Sequence, residues 1–462
     1  MRGSADRFRM AYTSDTDADR KKMLEKIGVD SFEEIFRDIP EKLRLRQPLN
    51  IPALSELEVL AEIEHLSLEN RPGSICFAGG GVYDHFIPAA VGALAGRPEF
   101  VTAYTPYQAE VAQGTLQVIY EFQTHICRLT GMDVANASMY DGATAAAEAA
   151  LICTGVTGRN RMVVCGTVSP LVREVVEAYV RPREVEIVTV PFREGVTDLK
   201  GLAEALDDRT ACVLVSQPNF FGQLEDVDRI CDLVHTSGGK LIISVDPVVQ
   251  ALLKTPGEIG ADLVVGEGQP LGIPLSFGGP LLGFFSARKE LVRSLPGRIA
   301  ARTRDLEGRT GFVLTLQTRE QHIRRQKATS NICTNQALCA TMASIYLSLM
   351  GKTGLKQVAL LSAEKAQATA RRISELDGFD LYFPGPFVRE FTVRTPIPAR
   401  RLILGLMPKG ILPGVDAGRW YPGMEDCLVV ALTEKRTDAE ITALVDGLRE
   451  MSSRGVLSGV QD

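Results

Sequence analysis

Apolar positions along the chain fall into short runs, at 162–165, 185–190, 211–216, 240–245, 263–265 and 281–285. Segments with helical spacing separate most of them, at 171–179, 199–205, 227–236 and 248–254. Runs this short and this apolar, alternating with helices, predict a mostly parallel sheet with right-handed crossovers. Residues 1–70 are polar and helical in pattern. Acids at 15–19 precede Met23, Leu24 and Ile27, Ser31 and Glu34 match a capping box, and a third helix spans 55–68. With so few strands this region reads as an N-terminal arm. A long helix is expected from 336 to about 350, and a further helix from 355. Strands near 380–383, 390–393 and 427–432 and a helix at 438–451 then predict a small α/β domain. The expected division is an arm at 1–70, a large domain at 71–335, and a bridging helix with the small domain at 336–462.

Chemistry-bearing residues cluster in the loops of this pattern. The run at 240–245 ends in Asp246, and the next ends in the Gly/Pro-rich loop 266–274, before a third run opened by Gly278-Gly279-Pro280. Open α/β sheets bind ligands at the carboxyl ends of such strands. Gly79, Gly80 and Gly81 admit positive φ or a close approach, and Tyr83, Asp84 and His85 stand beside them; a plain turn explains the glycines equally well. In the loop from Thr102, stiffened by Pro106, Tyr104 and Tyr107 accompany Gln108 and Glu110, a set expected to form a site. Asp141, Gly142 and Thr144 open an alanine-rich helix whose backbone N–H groups make an anion site that suits a phosphate. Any capped helix has this look. Basic residues crowd 293–330, among them Arg298, Arg319 and Arg325; a solvated face accounts for most of them.

Composition narrows the class. The chain has 462 residues, 45% hydrophobic and 23% charged, with net charge −6, an ordinary globular balance with no basic run for nucleic acid. Nine cysteines are scattered singly, which favours buried thiols over a disulfide framework, and no metal site is expected. No apolar stretch approaches the ~20 residues of a membrane span, and residues 1–10 lack the apolar core of a signal peptide. A reducing cytoplasm and no membrane contact are therefore expected.

The order of Asp246, polar loop and following strand resembles the aminotransferase-like, fold-type I pyridoxal-phosphate enzymes. In that class the acid faces the pyridinium nitrogen, the capped helix holds the phosphate, and a loop lysine forms the Schiff base. Here the loop 266–274 has no lysine, Gln269 stands near its place, and Lys254 and Lys289 lie outside the expected spacing. More specific are GGGVYDHFIPAAV (79–91), TAYTPYQAEVAQGTLQ (102–117), LTGMDVANASMYDGATAAAEA (129–149), SQPNFFGQLED (216–226), GEGQPLGIPLSFGGPLLG (266–283) and ATSNICTNQAL (328–338). These strings resemble the P-protein of the glycine cleavage system, glycine decarboxylase, in its split form and on the side of subunit 1. The family tends to carry a proline near Tyr12, where this chain departs from it, and residues 1–10 match nothing recognisable.

The resemblance implies decarboxylation of glycine on pyridoxal phosphate, with the pyridinium ring as electron sink, and transfer of the aminomethyl group to a lipoyl H-protein. It implies that subunit 2 carries the lysine and the cofactor, in a two-plus-two assembly. Asp141, Gly142, Thr144 and Asp246 then mark a degenerate cofactor site, and Tyr104 and Tyr107 are expected to complete the partner's site. Two other readings stay open: a purely structural partner, and an autonomous fold-type I enzyme with an unexpected lysine.

Overall fold

The computed structural model describes residues 14–457 other than 46, 48, 71, 72, 333 and 334, with side chains through residue 453. The chain divides into two compact units, one ending at Pro72 and the other beginning at Gly73. In the first, Thr16 and Asp19 close a capping box at the start of the helix Asp17–Ile27, and Gly28 ends it with φ 84°. Ser55 and Glu58 do the same for Glu56–Glu69. The capping box expected at Ser31 is not made. Phe32–Ile35 is a single turn, and the Ser31 hydroxyl reaches the Glu34 carboxylate at 3.5 Å instead of a backbone N–H. No residue of these helices is buried, and Ile27, Leu57, Leu60 and Ile63 are exposed. The described residues of the arm therefore build no core of their own.

The second unit is built on a seven-stranded sheet. Its order is Val134–Ala135, Gly283–Ala287, Leu263–Glu267, Lys240–Val245, Thr210–Gln217, Arg161–Cys165 and Glu186–Val190. The five strands from Leu263–Glu267 onward are parallel, as the alternation with helices predicts. Gly283–Ala287 runs antiparallel to Leu263–Glu267, contrary to the reading of its apolar run as one more parallel strand. No crossover helix lies between the two, and a parallel return needs one. The helix Gly142–Thr157 packs Ala145, Ala146, Ala147, Ala149 and Ala150 wholly buried on the sheet, where small side chains permit close approach.

Three further expectations change. The segment predicted as a helix at 248–254 is a 3-10 turn, Val249–Leu252, because Asp246 takes the N–H groups of Val248 and Val249 and Pro256 follows closely. The basic stretch contains a β-hairpin, Ile299–Arg304 with Thr310–Thr315, that its arginines disguised. Within it Arg298 is not solvated: it is 3% exposed and donates to Asn335 at 3.0 Å and Thr105 at 3.3 Å. The span from Ala337 to Ser374 is helical on both sides of a break at Gly351, φ 57°, in keeping with the two helices expected at 336–350 and from 355. A four-stranded antiparallel sheet follows, in the order Asp380–Leu381, Glu390–Arg394, Cys427–Ala431, Val415–Asp416, with its own core around Phe391, Leu428, Val430 and Leu444. Eight of the nine cysteines lie among the described residues, and all eight are free thiols; Cys333 lies outside them. No helix among the described residues is long and apolar enough to cross a membrane.

Candidate functional site

The parallel strands end level with one another, Gln217 beside Val245 and Val245 beside Gly266, so the residues that follow form one rim. There a cleft of about 360 Å³ is lined by the turn 79–83, Asp141, Gly142, Asn219, Asp246, Glu267, Arg389 and Glu390. One oxygen of Asp246 accepts from Val248 and Val249 N–H at 2.9 and 3.2 Å, and the other is paired with Arg389. Arg389 is 2% exposed and lies over the Tyr83 ring, 3.4 Å from its centre. Its second arm donates to His85 Nε2, so the imidazole proton sits on Nδ1 and is donated to Glu434 at 2.6 Å. Burial lowers the His85 pKa, which agrees with a neutral ring. Glu390, drawn from the small sheet, accepts from the Tyr83 hydroxyl and from Gly80 N–H, each at 2.8 Å. Burial pushes its pKa up to about 7 against those hydrogen bonds.

The helix start is occupied too. Asp141 caps Thr144 N–H at 2.7 Å in a full capping box. Gly142 N–H donates not to open space but to Glu267, at 2.9 Å. The other Glu267 oxygen accepts from Gln269 and Leu282 N–H, both at 2.9 Å. A Cβ at Gly142 would stand 2.8 Å from the Glu267 nitrogen, so only glycine lets helix and strand come this close. Burial raises Glu267 to about 7, opposed by its three N–H donors. Gln269 is 1% exposed and fully engaged: its oxygen accepts from Tyr83 N–H at 2.8 Å, and its amide donates to the carbonyls of Tyr83 and Ile273 at 3.1 and 2.7 Å.

These raised acids make stability depend on pH with a definite sign. A carboxyl whose pKa rises on folding holds its proton in the fold while the unfolded chain has released it, so stability falls as pH climbs from the ordinary value of 4.5 through about 7. His85 works the other way below 6.5, so the test is a difference. Between pH 5 and 8, wild type is expected to lose up to ~3 kcal/mol relative to Glu390→Gln. Urea unfolding at several pH values measures it, and parallel curves for the two proteins would refute it.

Of the residues singled out in the sequence, Asp141, Gly142 and Asp246 line the cleft, Thr144 completes the cap behind it, and Gln269 is buried at its back. Tyr104 and Tyr107 stand elsewhere, 78% and 48% exposed. Tyr107 meets the His322 ring at 5.4 Å and the Arg298 guanidinium at 5.5 Å. Sequence reasoning missed Arg389, Glu390 and Glu434, which arrive from the distant small sheet and its exit loop. Glu267 was in view between two glycines, and its place at the end of a rim strand was the available signal.

A family model described as glycine cleavage system P-protein matches residues 10–448. The chain belongs to that family. Among its relatives is the probable glycine dehydrogenase (decarboxylating) subunit 1 of Chloroherpeton thalassium, 50% identical over 445 residues, covering 96% of this chain and all of that protein. The protein of the same description from Carboxydothermus hydrogenoformans is 50% identical over 442 residues, covering 95% and 99%. A crystal structure of glycine decarboxylase (P-protein), in inhibitor-bound form, superposes with TM-score 0.86 at 41% identity, over 96% of this chain and all of that one. The fold alone extends to the glutamate decarboxylase of Lactobacillus brevis, with TM-score 0.68 at 13% identity, covering 93% and 99%.

Fold-type I neighbours make pyridoxal phosphate the cofactor to test in a P-protein cleft. The residues of this chain do not fit it. No lysine lines the cleft among the described residues, and Gln269 has no free group to offer. Arg389 holds the oxygen of Asp246 that would meet a pyridinium, and Glu267 holds the Gly142 N–H that would meet a phosphate.

Proposed function

We propose that this chain is subunit 1 of a two-subunit glycine decarboxylase, and that its own cleft holds no pyridoxal phosphate. A second, lysine-bearing subunit binds the cofactor. Together the two remove the carboxyl group of glycine, and the aminomethyl remainder passes to the lipoyl arm of an H-protein. The observation that supports this reading is a set of internal contacts at positions where the resemblance puts the cofactor, Gln269 with Tyr83, Arg389 with Asp246 and Glu267 with Gly142, in a chain matched over 96% of its length by a protein named subunit 1. A P-protein fold whose cleft groups are engaged with one another serves the reaction by completing another subunit's site.

The loop from Tyr104 to Glu110 is the part of this chain assigned to that role. Its two rings stand well out of the core, and Pro106 and the Arg298 contact to Tyr107 hold the loop in shape. Tyr104→Phe and Tyr107→Phe keep ring packing and remove a hydroxyl. If that hydroxyl binds substrate or cofactor as the carboxyl group leaves, each variant, co-expressed with the second subunit, is expected to slow glycine–bicarbonate exchange with H-protein about ten- to a hundredfold. Assembly and cofactor content are expected to stay at wild-type level. Wild-type exchange in both variants would leave the loop a purely structural element, and failure of wild type to support exchange at all would overturn the functional reading.

A further inference from the structure

A second cavity, of about 280 Å³, shares no lining residue with the cleft described above. It lies among the helix Gly142–Thr157, the end of the helix Pro170–Val180 and the segment 321–331. At its base is Glu148, 3% exposed. One Glu148 oxygen accepts from the Ser330 hydroxyl at 2.8 Å, and the other has no hydrogen-bond partner among the described residues. A buried carboxylate oxygen left unsatisfied is costly and calls for a donor. Nearby charge is of the opposite sign and sits at the mouth: Arg183 and Arg325 are exposed, line the cavity, and make no ion pair among the described residues. Leu151 and Ala328 give the wall a small apolar patch.

This arrangement discriminates among ligand charges. A simple anion drawn to the two guanidiniums meets the Glu148 carboxylate below them. A simple cation suited to Glu148 must first pass the arginines. A zwitterion satisfies both, with its ammonium inward and its carboxylate at the mouth. We propose that this cavity is a binding site for a small amino acid, its ammonium donating to the open oxygen of Glu148 and its carboxylate meeting Arg183 and Arg325. The volume of about 280 Å³ is ample for an amino acid, with water beside it.

Calorimetric titration of the full chain, without a second subunit, tests the site apart from catalysis. Glycine is the probe, as the smallest zwitterion; acetate and methylammonium carry one charge each. Glycine is expected to bind, and the two single-charge probes about tenfold more weakly or worse. Glu148→Gln and Arg325→Gln are each expected to weaken glycine binding about tenfold or more, whereas Arg324→Gln, outside the cavity, leaves it unchanged. Arg325 is on the surface, so its variant carries the test even if Glu148→Gln does not fold. No binding of glycine to wild type, binding of acetate or methylammonium as tight as that of glycine, or glycine binding indifferent to Arg325→Gln would each overturn the proposal.

Discussion

Arg389→Leu is expected to destabilise the chain by about 3–5 kcal/mol, because it breaks a buried ion pair from one side. Arg389 is 2% exposed and joins Asp246, His85 and the face of Tyr83, with Glu390 close by. Leucine fills part of the volume but leaves the second oxygen of Asp246 without its cation and His85 Nε2 without its donor. Asp246→Asn on its own keeps an acceptor for Val248 and Val249 and removes only the charge. The double variant, lacking both charges, is expected to recover part of the loss, since removing both members of a buried pair costs less than removing one. Urea unfolding of the four proteins closes the cycle. If Arg389→Leu lies within ~0.5 kcal/mol of wild type, the guanidinium is not what holds the cleft together.

The cost of that single change explains why much of the fold was legible in the sequence and the state of the cleft was not. Strands such as Lys240–Val245 announce themselves by short apolar runs, and helices such as Val227–Thr236 by spacing, because both signals are local. Asp246 was located for the same reason: it ends a strand. What Asp246 does is decided by Arg389, which immediately precedes a strand of a different sheet, and no periodicity links the two. The hairpin Ile299–Arg304 with Thr310–Thr315 was hidden in like manner. Its charges suggested a solvated face, yet Arg298 is buried by an amide and a hydroxyl from two other segments. The missing lysine was visible in the loop 266–274, but the sequence alone does not reveal that Gln269 is bonded into the turn at Tyr83. Likewise the helix start at Asp141 was read as an open anion site, and the structure places Glu267 on its Gly142 N–H. A carboxylate at the positive end of a helix satisfies the same electrostatics as a phosphate, so the motif survives while its occupant changes.

Removing that internal occupant should therefore restore the external one. Glu267→Ala leaves the N–H groups of Gly142, Gln269 and Leu282 without their acceptor. At about 1–3 kcal/mol for each buried donor left unmet, less whatever water enters the cleft to replace, the variant is expected to lose about 3–5 kcal/mol. In exchange, the cap of Gly142–Thr157 regains an exposed N–H at its positive end. Inorganic phosphate at ten times its dissociation constant would then return about 1.4 kcal/mol, read as a rise in melting temperature. Wild type, its cradle already filled, is expected to show no such rise at equal ionic strength, with sodium chloride as the control. Glu267→Gln separates charge from shape: its amide keeps one acceptor but turns an NH2 toward donors, so it is expected to be destabilised without gaining the phosphate response. Equal protection of wild type and Glu267→Ala by phosphate would mean that the anion binds elsewhere, and that Glu267 does not guard the helix start.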